Sequence, residues 1–413
     1  LQEGVKGNKW FSLIDKVYSE RTLELAWLKV KSNAGACGVD GITVGRFEKD
    51  SQKRLLAVKE HLERGTYQPK PVKRVEISKP GSRQKRPLGI PAVLDRVVQT
   101  ALKMVIEPIF EREFAPSSYG FRPGRGCKEA LRHVDGLLKS GKLHVVDADI
   151  RSYFDSINHE ALMKLVGEQI ADGEVLKLVE KLLTQGILEG MKEWRPEQGT
   201  PQGGVMSPLL ANVYLNGLDW KMRELGFEMV RYADDFVVLC GSAQEARRAL
   251  EEIEKWMAAA QLILHPEKTR VEDLSVPGTH FDFLGYRFKR TKQKGRLARF
   301  VSDKSRKKLR EDIKPFTKRA NGRSMEELVS RLNPKLRGWF QYFKHSETSS
   351  LSQMDQWIRQ RLRAILKKRQ KRRGRAKGKD FQRWPLRYFA KLGLYSLVEA
   401  QAEELSLRRG AKC

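Results

Sequence analysis

The sequence predicts an α+β protein whose strands fall before about residue 300 and whose remainder is helical and basic. Three observations predict it. Short strand-like runs stand at 67–92, at Leu143–Val146 and on both sides of Ala233-Asp234-Asp235. Apolar residues recur at helical spacing through Val93, Leu94, Val97, Val98, Ala101, Leu102 and Val105. Beyond about 300 the helical pattern continues, in segments rich in Lys and Arg (SDKSRKKLREDIKPFTKRA, SMEELVSRLNPKLRGWFQYFKH, LSQMDQWIRQRLRAILKKR).

Each element has a local reason. Residues 1–66 read as helical around a Gly-rich turn, Gly38-Val39-Asp40-Gly41. The Pro and Gly punctuation of KPGSRQKRPLGIP predicts a hairpin within 67–92. The apolar run Leu143–Val146 leads as a strand into Asp147-Ala148-Asp149, and helical segments follow to about residue 188. Ser207-Pro208 predicts a helix start, with Ser as N-cap and Pro in the first turn. Met229–Tyr232 and Phe236–Cys240 are strand-like. A polar KRTKQKGR stretch suggests a domain boundary near 290–300, and the basic GRAKGKD linker precedes a short C-terminal segment.

Charge narrows the function. The 413 residues carry a formal net charge of +29, which attracts polyanions over long range and points to nucleic acid. The charge is uneven, since Lys367 to Arg373 reads KKRQKRR and no acid lies between Arg359 and Lys379. A merely solvated face would mix signs. Cys37, Cys127, Cys240 and Cys413 are scattered without a C-x-x-C pair, which disfavours a disulfide framework or structural zinc and fits a reducing, cytoplasmic setting. No run of about 18 apolar residues and no apolar leader are present, so no membrane partner is expected. Leu1 stands where an initiator Met would, so residues can precede it.

Phosphoryl transfer needs charge neutralised on the attacking and leaving oxygens, and two divalent ions about 4 Å apart can do this when carboxylates hold them. Mg²⁺ prefers oxygen ligands and keeps waters, so a few Asp side chains suffice. Asp149 lies at the end of one strand-like run, and Asp234 and Asp235 lie between two others. A hairpin would bring them together. Alone, an Asp pair in a turn is a weak signal; the combination carries the inference.

The combination extends along the chain. GACGVDG, ISKPGSRQKRPLGIP, SYGFRPGRG, VVDADIRSYFDSI, GTPQGGVMSPLLANVYL, RYADD, LHPEKT, FDFLGY and PKLRGWFQYF follow in order over residues about 20 to 365. In these segments the chain resembles the reverse transcriptases encoded by bacterial group II introns. Ser78 departs from the family's usual Pro and leaves Lys79 in place. The resemblance implies a right-hand polymerase, with fingers and palm built on antiparallel sheet, followed by an α-helical thumb or maturase domain. The corresponding spans are 1–66 for an N-terminal extension and the start of the fingers, 67–295 for fingers and palm, 296–369 for thumb/maturase, and 370–413 for a basic linker and DNA-binding segment.

By position, the resemblance makes Asp149, Asp234 and Asp235 the catalytic, metal-binding acids for two Mg²⁺ ions, with Mn²⁺ able to substitute. It places Lys79, Arg86, Ile150, Phe154, Gln202 and Lys268 at the incoming deoxynucleoside triphosphate. Phe154 would be an aromatic gate against the 2′-OH, and Lys268 a proton donor to pyrophosphate. Phe283, Leu284, Gly285 and Tyr286 would be the primer grip, and FLGY equally suits a strand core. The glycines of Pro201-Gln202-Gly203-Gly204 would allow close backbone approach to substrate. Trp339, Tyr342 and Phe343 share a helix face and read as core. Arg359, Arg361, Arg363, Lys367, Lys368, Arg369, Lys371, Arg372 and Arg373 are the candidate RNA contacts. The implied partners are group II intron RNA, an RNA template with a DNA primer, target DNA and deoxynucleoside triphosphates.

Two other readings stand beside this one. The same polymerase could serve a defence, retron, diversity-generating or CRISPR-linked system, or the chain could be an RNA-binding splicing factor without catalysis. Many intron proteins of this family carry a C-terminal His-Asn-His nuclease. The fifty or so residues after the thumb-like region hold no His and only Cys413, so the expectation is a protein of the compact class C type that borrows a primer.

Overall fold

The computed structural model describes residues 5–6, 9–78, 85–291 and 295–410. It forms two compact units, Leu1–Asp273 and Leu274–Cys413.

The first unit begins with β1 (Val5–Lys6), β2 (Lys9–Trp10), α1 (Ile14–Val17), α2 (Glu20–Asn33), α3 (Val44–Lys49) and α4 (Ser51–Glu63). Then come β3 (Val72–Ser78), β4 (Lys85–Ile90), α5 (Val93–Glu113), α6 (Cys127–Lys139), β5 (His144–Asp149) and α7 (Tyr153–Ser156). The unit continues through α8 (His159–Gln169), α9 (Gly173–Leu183), β6 (Ile187–Glu189), β7 (Lys192–Trp194) and α10 (Ser207–Glu224). It closes with β8 (Glu228–Tyr232), β9 (Asp235–Cys240), α11 (Ala243–Ala259) and β10 (Arg270–Asp273). Two sheets matter for function. One has the order β10-β5-β9-β8 and is antiparallel throughout. The other has the order β4-β3-β6-β7; it contains the expected β3–β4 hairpin, and β6 joins β3 in parallel.

Side chains explain the packing. Helix α5 buries Val97, Val98, Ala101, Leu102 and Ile106 completely, so it runs through the core and does not lie on it. Helix α9 begins where Asp172 accepts the amides of Glu174 and Val175, and the same carboxylate accepts from Leu13 and Ile14. One side chain thus caps a helix and ties down the N-terminal segment. Two sequence readings change. The helical segments expected to about residue 188 end at Leu183, and the β6–β7 hairpin begins at Ile187. Ser207 is the first residue of α10 rather than its cap, and its hydroxyl donates instead to Pro201 O at 2.8 Å.

The foot of the β3–β4 hairpin is fastened by a buried carboxylate. Asp95 is 1% exposed and accepts from Tyr67 Oη at 2.5 Å, from Lys70 N at 3.1 Å and from Gln185 Nε2 at 3.4 Å. Burial outweighs these donors and raises its pKa from 3.8 to about 6. A raised carboxyl pKa means that the folded state holds a proton the unfolded chain has released. The associated stability is full below pH 4 and is lost as pH rises through 6. At about 1.4 kcal/mol per pH unit the loss is roughly 3 kcal/mol. Stability measured by denaturant titration from pH 4 to 7 should therefore fall in the wild type relative to Asp95→Asn. Parallel pH profiles would contradict this assignment.

The second unit contains β11 (His280–Phe283), β12 (Tyr286–Arg290), β13 (Leu297–Val301), α12 (Asp303–Ile313), α13 (Met325–Phe343) and α14 (Thr348–Arg369). The helices α15 (Lys379–Arg383), α16 (Leu386–Lys391) and α17 (Leu397–Gly410) follow. The three strands form an antiparallel sheet that is bonded to the helices after it. Ser302 N and Ser305 Oγ donate to Gly285 O, Tyr342 Oη donates to Leu284 O at 2.8 Å, and Glu347 N donates to Arg299 O. The unit therefore starts at 274, ahead of the polar 289–296 stretch, which spans the connection between β12 and β13. A common core of Leu309, Leu328, Leu332, Leu336, Ile358, Leu362 and Phe389 joins these helices. Among the described residues no helix is long and apolar enough to cross a membrane.

Candidate active site

The backbone of the β10-β5-β9-β8 sheet brings the three aspartates together. Asp149 ends β5 and stands directly opposite Asp235, the first residue of β9. Tyr232 and Asp235 pair across the β8–β9 hairpin, so Ala233 and Asp234 are its two turn residues. Ala233 has φ 59°, the left-handed conformation that a tight hairpin turn requires at its first position. Paired strands put facing residues about 5 Å apart, so Asp149 and Asp235 stand side by side with Asp234 in the adjoining turn.

A buried polar network fixes that turn. Arg231 and Asp219 are both fully buried. The guanidinium grips both carboxylate oxygens, with Nε donating at 2.8 Å. Its Nη1 donates to Asn212 Oδ1 and to Ala233 O, each at 2.9 Å. Asn212 Nδ2 donates in turn to Gly120 O at 2.8 Å. Gly120 lies so close to the turn that a Cβ there would come within 2.4 Å of Ala233 N. Only glycine fits beneath the turn. The sequence reading missed these residues. The available signal was Asn212 and Asp219, two polar side chains seven residues apart on the face of α10 that otherwise carries apolar residues.

The electrostatics suit a cation. Burial raises the pKa of Asp234, and the Asp149 charge raises it further, while Lys268 and Arg231 act in the opposite sense. Lys268 Nζ sits 2.5 Å from Asp149 Oδ2, so an ammonium already occupies the carboxylate that a metal would use. The loop carrying Lys268 is held by His265 N donating to Asp149 O at 2.8 Å. Among the described residues no three acidic, His or Cys side chains close into a ready cage. Magnesium does not need one, because it takes one or two carboxylates and completes its shell with water and substrate phosphate. The oxygen donors and the ammonium on Asp149 together fit a hard divalent cation.

Around the aspartates the other predicted residues divide. Phe154 is half-buried, packed on the core and edge-on to Tyr153 with ring centroids 5.6 Å apart. Its carbonyl accepts from Thr200 N at 2.6 Å, which pins the Pro201-Gln202-Gly203-Gly204 loop beside it. Gly203 lies against β4, where a Cβ would meet Gly89 O at 2.5 Å, and Gly89 N donates to Gln202 O. This close approach packs the loop on the hairpin. Arg86 is exposed on β4, opposite Ile77. Lys79 lies outside the described residues. The Ile150 side chain is 3% exposed and belongs to the core, so only its backbone can face a nucleotide.

In the second unit, Phe283 and Tyr286 pair across β11–β12 and are 1% exposed. Leu284 and Gly285 form the turn between them, at φ 49° and 79°. Phe343 is buried, and its ring meets those of Tyr286, Trp339 and Tyr342, so the aromatic face of α13 is core as expected.

The basic candidates also divide. Arg363 is buried between the Phe381 and Phe389 rings and donates to Trp384 O. Lys367 is buried on Asp380 and Arg375 O. Both hold the C-terminal helices and do not face solvent, which corrects their reading as RNA contacts; a buried cation must be paired. Arg359 leans on Asp355 at 3.7 Å, and Arg361 on Thr317 and the Trp357 ring. Lys368, Arg369, Lys371, Arg372 and Arg373 are exposed.

Comparisons with known proteins agree with this geometry. Residues 77–288 match the reverse transcriptase (RNA-dependent DNA polymerase) family, and residues 306–384 match the group II intron, maturase-specific domain. The group II intron-encoded protein LtrA of Lactococcus lactis subsp. cremoris is 34% identical over 251 residues, which are 60% of this chain and 42% of LtrA. The chain thus spans less than half of that relative. Protein YkfC of Escherichia coli (strain K12) is 32% identical over 312 residues, covering 66% of this chain and 81% of YkfC. A chain of a Cas6-RT-Cas1--Cas2 complex covers 60% of this one at TM-score 0.39 and 22% identity, too distant to bear on function. With its aspartates on facing strand ends and a maturase-specific region in the second unit, the chain belongs to the reverse transcriptase family, in the group II intron-encoded branch.

Proposed function

We propose that this protein copies RNA into DNA and that its RNA is the group II intron itself, which it also helps to splice. The observation that carries the reading is the facing pair Asp149–Asp235 with Asp234 in the adjoining turn. The family depends generally on divalent metal, and Mg²⁺ is the natural occupant of three carboxylates, with Mn²⁺ as a substitute. Held by Asp149, Asp234 and Asp235, such ions would neutralise charge on the attacking and leaving oxygens.

The chain's own residues do the rest. Arg231 and Gly120 keep the Asp234–Asp235 turn from moving, so the carboxylates are organised before substrate arrives. Lys268 starts on Asp149 and has a flexible four-carbon stem. With a cation held by that carboxylate, the Lys268 ammonium would be free to meet a phosphate oxygen and to give its proton to the departing pyrophosphate. Arg86 on β4, together with Lys79, holds the triphosphate. Phe154 presents a ring fixed by the core against the sugar, and Gln202 sits on the loop beside it. Leu284 and Gly285 supply the primer grip through backbone, because the flanking side chains are buried. Lys368, Arg369, Lys371, Arg372 and Arg373 face the intron RNA.

The test uses the purified chain and its intron-containing transcript. The protein should speed splicing at limiting Mg²⁺ and extend a DNA primer annealed within the same RNA. Extension without any effect on splicing would favour a reverse transcriptase of another genetic setting.

Replacing Phe154 by Ala should raise incorporation of ribonucleotides relative to deoxyribonucleotides by about ten-fold or more, since the 2′-OH would no longer meet the ring. Single-nucleotide kinetics measure the ratio. A ratio equal to wild type would remove Phe154 from the gate.

A further inference from the structure

We propose that the second unit holds a built pocket for one unstacked nucleotide of RNA, with Trp357 as its stacking floor and arginines as its phosphate clamp. This rests on the reading that the unit binds RNA and goes beyond it by naming a site. The cavity has a volume of about 380 Å³ and is lined by Arg319, Trp357, Gln360, Arg361, Ala364 and Arg375. That is ample for a base with its ribose and phosphate.

The chemistry of the lining is one-sided. Three of the six side chains are arginines and none is acidic. Arg361 lies over the Trp357 ring at 5.8 Å, and Arg310, from α12, lies over the same ring at 5.7 Å. The Arg310 Nε is buried without a hydrogen-bond partner. Burial and the neighbouring Arg319 charge both lower the pKa of Arg361, as expected when like charges are crowded. A folded protein gains nothing from gathering guanidinium groups around a concavity without an anion to receive.

The geometry is preorganised. Arg361 is fixed by Thr317, through Nε to Oγ1 at 3.1 Å and Nη2 to O at 2.7 Å. Arg319 donates to Gly374 O, and Gln360 Nε2 donates to Ala376 O at 3.3 Å. The Arg361 bonds join α14 to the segment after α12, and the Arg319 and Gln360 bonds tie the basic stretch after α14 to both, so Arg375 of that stretch forms one wall of the pocket. An indole face with guanidinium planes beside it suits a base, and bidentate arginines suit phosphate. Single-stranded RNA is read in this way, by stacking of splayed bases on aromatic or Arg planes. A fully paired helix has no base to offer.

The test compares affinities of the full chain for two RNAs of equal length, one with an unpaired loop and one fully duplex, at fixed salt. The variants are Trp357→Ala, Trp357→Phe and the exposed Arg375→Glu, each checked by thermal unfolding. Trp357→Ala and Arg375→Glu should weaken loop RNA by about ten-fold or more and duplex RNA by much less. Trp357→Phe should recover most of the loss. Adenosine monophosphate should compete only at millimolar concentration, because one nucleotide lacks the flanking phosphates. Folded Trp357→Ala and Arg375→Glu proteins with wild-type affinity for loop RNA would overturn the pocket. Equal losses on both RNAs, or micromolar competition by the mononucleotide, would overturn its assignment to an unpaired RNA nucleotide. A wild-type chain that binds neither RNA would instead defeat the RNA-binding reading beneath it.

Discussion

Asp234→Asn is expected to reduce RNA-templated DNA synthesis by about a thousand-fold or more while leaving the protein as stable as the wild type, or more so. The two effects have one cause. Burial and the Asp149 charge raise the pKa of Asp234, so its ionised form costs the folded state free energy at neutral pH. Asn removes that cost and with it a charge from the metal-binding group. Asp149→Asn and Asp235→Asn should be as inactive, since each removes one of the three carboxylates. RNA affinity should persist, because the exposed cations after α14 are untouched. Steady-state extension rates beside thermal midpoints measure both. Near wild-type synthesis by folded Asp234→Asn would remove this residue from the chemistry.

The second large effect concerns Arg231. Replacing it with Met leaves the Asp219 carboxylate buried and unpaired, a loss of about 3–5 kcal/mol. The double variant Asp219→Leu/Arg231→Met removes both charges and should recover most of that stability, because an apolar pair of similar volume can replace a buried ion pair. It should not recover activity. Ala233 O still lacks its donor and Asn212 Oδ1 its partner, so the Asp234–Asp235 turn is no longer held. Chemical denaturation combined with primer extension separates the two roles. A double variant that regains both stability and synthesis would show that the pair serves packing alone.

What the sequence disclosed depended on whether an interaction is local. The β8–β9 hairpin was legible because two short strand-like runs flank a pair of acids, and α5 because its apolar spacing is regular. The exposed run from Lys368 to Arg373 was legible as charge. The Arg363 and Lys367 readings failed because nothing in a row of cations shows which will meet Asp380 or the Phe381 and Phe389 rings once the helices fold together. The parallel β3–β6 pairing joins segments more than a hundred residues apart, and its short strands carry little pattern of their own. Gly203 shows the same limit. The residue type signalled a close backbone approach, and nothing local showed that Gly89 of the hairpin is one of the groups it meets.

If Asp149, Asp234 and Asp235 hold the metal ions as proposed, DNA synthesis on RNA must depend on a divalent cation. The most direct measurement is extension of a DNA primer on an RNA template by the purified protein, with Mg²⁺ titrated against a chelator. The expected result is DNA complementary to the template, synthesis that stops when the chelator exceeds the metal, and recovery when Mg²⁺ is restored. Folded protein that binds the primed RNA but adds no nucleotide at any Mg²⁺ or Mn²⁺ concentration would contradict it, as would extension that continues in excess chelator.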